Sequence, residues 1–326
     1  MTQHFKLKQG HTYVCGILNV TPDSFSDGNL WFNKDQAINH GLDLADQGAE
    51  MLDIGAESTR PGSQLVSAER EINRLKDVIG PLHSKLPLPL SVDTRKSAVA
   101  EFVLDQGASI INDVSGLMSD PQMASLIAEK GAYLIIMFNP AIARPDHQAS
   151  QNFPSFNPDG QKYNPNFSST EFKRMADMPI MDLARFYLER SLKIALQAGI
   201  KKEQIWLDPG IGFALSQKEN LLLLQQIDLI KDFGFPIFLG VSRKRFLGEI
   251  LLTASAKESW PWFNQDQYAS QLDLASAALT SYAATKGISI VRTHTVQEQL
   301  IAARVGEALR KASLAEDKLL KPYQEK

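Results

Sequence analysis

Side chains able to bind or polarise a small ligand recur along the chain, and they recur at the ends of apolar runs. Asn19 follows YVCGIL, Glu57 with Ser58 and Thr59 follows MLDIGA, and Asp93 follows PLSV. Asn112 follows SII, Asp208 follows IWL, Lys244 stands just past IFLGVS, and Arg292 and His294 close SIVRTH. Arg292 and His294 are two residues apart, so on a strand they face the same side. An arginine fork beside an imidazole suits a phosphate or diphosphate; a buried arginine could equally pair with a local carboxylate. Asp93, Asn112, Asp208 and Lys244 form a second set, matched to a flat heterocycle with amino and keto edges. A carboxylate receives two parallel N–H bonds from an N–C–N edge, Asn112 both donates and accepts, and Lys244 donates to a ring nitrogen or carbonyl. Asn19 offers an uncharged oxygen to a magnesium ion held mainly by phosphate oxygens.

Such groups are costly to bury in a plain hydrophobic core, where an unpaired carboxylate loses several kcal/mol of solvation. One Asp or Asn at a strand end is most often a helix cap, and Asp120 is read that way. So many strand ends at once need a common destination. The runs that carry them are short and β-branched, at 13–19, 51–58, 89–94, 109–115, 133–139, 205–210, 237–242 and 289–294. Helical spacing of apolar residues follows them, as in KDQAINHGLDLADQGA, SAEREINRLKDVIGPLHSKL and KSAVAEFVLDQGA. Repeated strand-then-helix units make right-handed crossovers and a parallel sheet. Eight of them predict a single-domain (β/α)8 barrel, a TIM barrel of class α/β over residues 1–326, with the polar strand ends converging on its C-terminal face. A doubly wound open sheet is the alternative.

Two connections are longer than barrel loops need, at about 139–179 and about 252–271. The first is rich in Pro, Asn and Ser and carries Phe153, Phe156, Tyr163 and Phe167. It leaves the catalytic face directly after the fifth strand, and we expect a lid over the site, with a peripheral or subunit-facing elaboration as the competing reading. The second holds two Trp, a Phe and a Tyr.

The succession GILNVTPDSFSDG, DIGAESTRPGS, SVDT, INDVSG, DPGIGF and GVSRKRF resembles the strand-end motifs of the dihydropteroate synthase family, in that family's order, from about Val14 to Val296. The resemblance implies a transferase of folate biosynthesis. It would join 6-hydroxymethyl-7,8-dihydropterin diphosphate to 4-aminobenzoate and release pyrophosphate. It assigns Asp93, Asn112, Asp208 and Lys244 to the pterin, and Asn19, Thr59, Arg292 and His294 to the diphosphate with Mg2+ on Asn19. Phe25, Arg60, Pro61, Phe213, Ser242 and Arg245 would shape the aminobenzoate site. Asn19, Asp23, Arg60 and Lys244 are the expected catalytic groups, with the loop carrying Asp23 and Phe25 closing over bound reactants. The chain departs from the family's pattern at Phe138, where a His follows the Met, at Ala214 and Leu215, where Gly and Lys stand, and at Thr293 and Thr295 within RTHT. A corrinoid methyltransferase on the same kind of barrel needs no diphosphate site, so Arg292, His294 and STRPG count against it. A pterin-binding paralogue without turnover would show loss of a core ligand, and none is lost.

Composition agrees with such an enzyme. The 326 residues are 44% hydrophobic and 22% charged, ordinary globular values. A net charge of −3 argues against a nucleic-acid or anionic-membrane partner. The single cysteine, Cys15, sits in a strand-like run and is expected to be buried and unreactive. No signal-peptide core or membrane span is visible, so a cytoplasmic location is expected. Apolar faces on the last helices, as in LDLASAALTSYAATKG, suit a homodimer or the barrel wall.

Overall fold

The computed structural model describes residues 6–21, 34–257 and 267–316. All eight expected strands are present: β1 (Tyr13–Asn19), β2 (Met51–Gly55), β3 (Leu90–Asp93), β4 (Ile110–Asp113), β5 (Tyr133–Met137), β6 (Ile205–Asp208), β7 (Phe238–Gly240) and β8 (Ile290–Thr293). Every pairing is parallel, and β1 lies between β2 and β8. The sheet runs β6-β5-β4-β3-β2-β1-β8-β7, and a parallel bridge between Leu207 and Ile237 joins its two ends. This is the closed barrel; a doubly wound sheet would leave two open edges.

The period-two alternation of each strand sorts its residues into two cores. Val14, Leu18, Leu52, Ile54, Val92, Ile111, Leu134, Ile136, Leu207, Leu239 and Val291 point outward into the layer shared with the helices. Tyr13, Cys15, Met51, Ile110, Tyr133, Ile135, Trp206, Phe238 and Ile290 fill the barrel interior. Cys15 is free and fully buried, as expected. Continuing the inward-facing series one or two steps toward the C-terminal ends reaches Asn19, Asp53, Gly55, Asp93, Asn112, Met137, Asp208, Gly240 and Arg292. The interior is therefore an apolar plug below a polar layer.

Most strands are shorter than the sequence reading by one to three residues at an end, and three differences bear on the site. β2 ends at Gly55, so Glu57, Ser58 and Thr59 belong to the following loop. The segment expected as one helix from Ser67 is two, Ala68–Leu75 and Ile79–Lys85. Pro81 explains the break, since a continuous helix would need its missing N–H and would press its ring on the preceding turn. The second insertion is partly helical: Arg245–Ser255 extends into it and Tyr268–Thr285 begins within it. Its residues 258–266 lie outside the described residues.

The first insertion is anchored to the barrel flank. Phe156 and Phe167 are buried, Phe153 is half-buried and Tyr163 is exposed. Phe167 packs on Tyr187 of the helix Ile180–Gln197, Asn164 Nδ2 donates to Met118 O at 2.8 Å, and Arg144 pairs with Glu219 at 2.7 Å. Asn157 Nδ2 ties the segment to itself through the carbonyls of Gln161 and Lys162. Of the four aromatic residues expected in a lid, Phe167 is spent on the barrel wall and Tyr163 stacks edge-on with Phe172. No helix among the described residues is long and apolar enough to cross a membrane.

Candidate active site at the C-terminal face

Strand register lines up the first group. Asn19 pairs with Gly55, Gly55 with Asp93, and Asp93 with Asn112 across four neighbouring strands. Gly55 contributes no side chain, and a Cβ built there would lie 3.7 Å from Asn19 Oδ1 and 3.9 Å from Asp93 Oδ2. The amide and the carboxylate thus flank one gap.

Below them lies a residue that the sequence reading passed over. Asp53 is fully buried inside β2 and accepts hydrogen bonds from Ser91 Oγ (2.6 Å), Asn112 Nδ2 (3.1 Å) and Arg292 Nε (2.5 Å). Arg292 Nη2 also stands 3.7 Å from Asp93 Oδ2. The alternative partner for a buried arginine, a local carboxylate, is therefore realised. The signal was available: Asp53 occupies the inward period between Met51 and Gly55, where only a partnered carboxylate is tolerated. Asn112 donates to Asp53 with its nitrogen, and its buried Oδ1 has no partner among the described residues.

Across the barrel, Asp208 ends β6 and Lys244 precedes the helix Arg245–Ser255. Asp208 Oδ1 accepts from Gly210 N at 2.7 Å. The DPGIGF motif has a steric reason. Gly210 adopts φ 72°, and a Cβ there would lie 2.0 Å from Phe138 O; Gly212 adopts φ 85°, and a Cβ there would lie 2.6 Å from Lys244 Cδ. Lys244 Nζ lies 5.1 Å from the Phe213 ring centre, a cation–π contact. Arg243, just before it, takes a left-handed φ of 53°, held by a two-bond pair with Asp273 (2.7 and 2.8 Å) and by Ser276 Oγ. That turn sets Ser242 and Lys244.

Charge and burial together perturb these groups. Burial raises Asp208 to about 6, with Lys244 and Arg292 opposing the rise. Burial and then Asp53 push Asp93 up to about 8, against Arg292. Burial lowers Lys244 to about 8 although Asp208 opposes it. Burial, followed by Arg292, Arg243, Arg60 and Lys244, lowers His294 to about 3, so its imidazole is neutral. Its Nδ1 lies 3.0 Å from Ser242 Oγ, which also accepts from His294 N at 3.2 Å. Ser242, expected on the aminobenzoate side, is thus the partner of a residue assigned to the diphosphate. Arg60 is exposed, and its charge bears on both Lys244 and His294, lowering each.

Not every expected residue joins the cluster. Thr59, Pro61 and Arg245 form no hydrogen bond or ion pair with the others among the described residues, and Arg245 is exposed. Asp23 and Phe25 lie outside the described residues. Glu57, one of the polar strand ends, turns away to pair with Lys96 (2.9 Å) and Arg95 (3.5 Å) and to accept from Val66 N, fastening its own loop. The three departures from the family's pattern fall mainly behind the site. Phe138 is fully buried and packs edge-on against Tyr187; Ala214 is buried; Leu215 packs against the outer core. Thr293 Oγ1 accepts from Thr295 N at 3.2 Å, while the buried Oγ1 of Thr295 has no partner among the described residues.

A barrel whose strand ends combine a carboxylate–amide layer with a cation-rich side is the architecture of a pterin-binding enzyme, and the family model with that description matches residues 15–294. The dihydropteroate synthase of Bacillus subtilis (strain 168) is 35% identical over 298 residues, 91% of this chain and 88% of the relative. The structure of the Clostridium difficile dihydropteroate synthase, solved in the presence of pteroic acid, superposes with a TM-score of 0.75. It is 36% identical, covering 93% of this chain and 99% of that one. The Xanthomonas albilineans dihydropteroate synthase with 4-aminobenzoic acid superposes at 0.72, with 33% identity over 92% and 93% of the two chains. The chain belongs to the dihydropteroate synthase family, transferases of folate biosynthesis.

Proposed function

We propose that the two halves of this site divide the labour of joining 6-hydroxymethyl-7,8-dihydropterin diphosphate to 4-aminobenzoate. The observation that carries the division is the unpartnered acceptor of buried Asn112, which lies among Asp53 and Asp93 and awaits an N–H donor. A pterin edge supplies one. Asp208 receives the amino and ring N–H groups of the heterocycle, and Lys244 donates to its carbonyl or ring nitrogen. Asp93, holding its proton near neutrality, can donate as well as accept. The pteroic acid in the Clostridium difficile structure and the 4-aminobenzoic acid in the Xanthomonas albilineans structure support the pairing of substrates.

Arg292, His294 and Asn19 form the diphosphate side, with Thr59 on the loop beside them. The C–O bond to the diphosphate breaks, the pterin ring delocalises the resulting cation, and the arylamine nitrogen forms the new C–N bond and loses its proton. No protein nucleophile is required. Arg292 and Arg60 stabilise the charge that develops on the leaving pyrophosphate, and neutral His294 donates from Nε2 while Ser242 fixes its other nitrogen. Among the described residues no three His, Cys, Asp or Glu form a metal cluster, while Asn19 presents a neutral amide oxygen at the mouth. That donor set fits Mg2+ held mainly by phosphate oxygens, with Asn19 as its protein ligand. The ion would supply charge neutralisation to the diphosphate. A pyrophosphate-release assay with the pterin diphosphate, with and without 4-aminobenzoate and Mg2+, tests this reading; release that ignores the aminobenzoate overturns it.

The homodimer belongs to the same proposal. Ile301, Val305 and Leu309 recur every fourth residue on the helix Val296–Arg310 and are 63%, 52% and 62% exposed. Leu274 on the neighbouring helix Tyr268–Thr285 is 68% exposed. A second copy would cover this face, and Ile301→Glu should then shift the sedimentation coefficient to that of a monomer.

A further inference from the structure

The insertion after β5 reaches two loops of the active-site face. The Gly62 amide, in the loop after β2 that carries Arg60 and Pro61, donates to Asn152 O at 2.7 Å. Next to Asn152, the Phe153 ring centre stands 5.9 Å from that of Phe213, at an interplanar angle of 31°. Phe156 stands 6.4 Å from the same ring, and Arg95 lies over Phe156 at 5.9 Å. Phe213 in turn carries Lys244 at 5.1 Å. Three residues of the insertion, Asn152, Phe153 and Phe156, therefore touch two separate active-site loops, one following β2 and one following β6.

The far side of this short segment is fixed. Ser119 Oγ donates to Phe156 O, Arg144 pairs with Glu219 at 2.7 Å, and Phe156 is 2% exposed. A segment bound to the barrel behind and to both loops in front restricts the loops relative to each other. Composition alone suggested a mobile cover; the contacts are those of a strut.

We propose that residues 152–156 are a positioning brace for the aminobenzoate side of the site. Phe153 holds the Phe213 ring, and the Asn152 carbonyl holds the Arg60–Pro61 loop, so that both faces of the second-substrate cleft are set before the arylamine enters. The proposal rests on the assignment of that cleft to 4-aminobenzoate. Phe153 acts through Phe213 and need not touch the substrate. Binding energy is then not lost to ordering two loops at each encounter.

Phe153→Ala and Phe153→Leu test it, because Phe153 is half-buried and its truncation leaves Phe156 in place. The Ala variant should raise the KM for 4-aminobenzoate about 2- to 10-fold, the effect of losing an aromatic pair. The KM for the pterin diphosphate and the calorimetric affinity for a phosphate-free pterin should stay within error of wild type. The Leu variant, which keeps apolar bulk, should restore much of the loss. Hydrogen exchange supplies a readout independent of turnover: the Gly62 amide should be protected in the wild type and lose that protection in Phe153→Ala. An unchanged aminobenzoate KM with unchanged Gly62 protection overturns the brace, as does an equal loss for both substrates accompanied by a lower Tm. A wild type that fails to couple aminobenzoate overturns the underlying functional reading instead, and Gly62 protection then decides the brace alone.

Discussion

Arg292 Nε lies 2.5 Å from Asp53 Oδ2, and Asp53 is fully buried in the barrel interior. On the proposed assignment the arginine has two tasks, neutralising a carboxylate below and presenting positive charge to the diphosphate above. A buried pair is costly to break from one side, because the remaining charge keeps its desolvation penalty. Arg292→Ala should thus lower stability by about 3 kcal/mol as well as reduce turnover. His294→Ala should reduce turnover with little effect on stability. Urea denaturation of both variants separates the tasks, and equal stabilities would mean that Asp53 does not depend on Arg292.

Asp208 illustrates a conflict between folding and binding. Its carboxyl is raised from 3.8 to about 6 chiefly by burial, so the native state binds its proton more tightly than the unfolded chain does. Below pH 3.8 the group costs no stability on this account; the cost grows as pH rises to about 6 and is constant above. Asp208→Asn keeps an acceptor for Gly210 N and removes the charge. Its Tm at pH 7.5 should equal or exceed the wild-type value, while pterin affinity falls by about 1.5–3 kcal/mol for each charge-assisted bond lost. A calorimetric affinity equal to wild type would take Asp208 out of the pterin site.

The barrel was legible because its two periodicities are written in composition: β-branched runs of strand length, each followed by helical spacing. Asn19, Asp93, Asn112 and Asp208 were legible because each closes a strand run, and so many such ends together exceed what helix caps explain. Asp53 was not, since it stands in mid-strand and its partner is 239 positions away in sequence. The pairing of Ser242 with His294 was equally hidden, because it depends on β7 and β8 being neighbours. The insertion gave no period to read. Its order comes from single amides such as Asn157 and Asn164 binding carbonyls, and side-chain-to-backbone bonds of that kind leave no spacing signal.

Ser242→Ala tests the phosphate side without touching charge. Ser242 Oγ holds both Nδ1 and the backbone amide of His294. Of the two bonds removed, the one to Nδ1 orients the ring toward the diphosphate, and one neutral hydrogen bond is worth about 1 kcal/mol, or roughly fivefold. The KM for the pterin diphosphate should rise by that factor and the KM for 4-aminobenzoate should not. The reverse pattern would return Ser242 to the aminobenzoate side, where the family resemblance had placed it.

The pH dependence of kcat/KM for the pterin diphosphate should be bell-shaped, because that parameter reports groups of the free enzyme. On the acid side, Asp208 protonates below about 6 and can no longer receive two N–H bonds. On the alkaline side, Lys244 loses its proton above about 8, and with it a donor and a positive charge. His294, lowered to about 3, stays neutral throughout and adds no limb. The substrate's own phosphate titration is common to every variant, so comparison between variants isolates the protein groups. Lys244→Arg keeps the charge at all accessible pH values and should abolish the alkaline limb while lowering the maximum, since a planar fork replaces a compact ammonium. If the limb near 8 survives in Lys244→Arg, it belongs to Asp93, which is raised to about 8 while Lys244 is lowered to it. The proton that matters at alkaline pH would then sit on the β3 carboxyl.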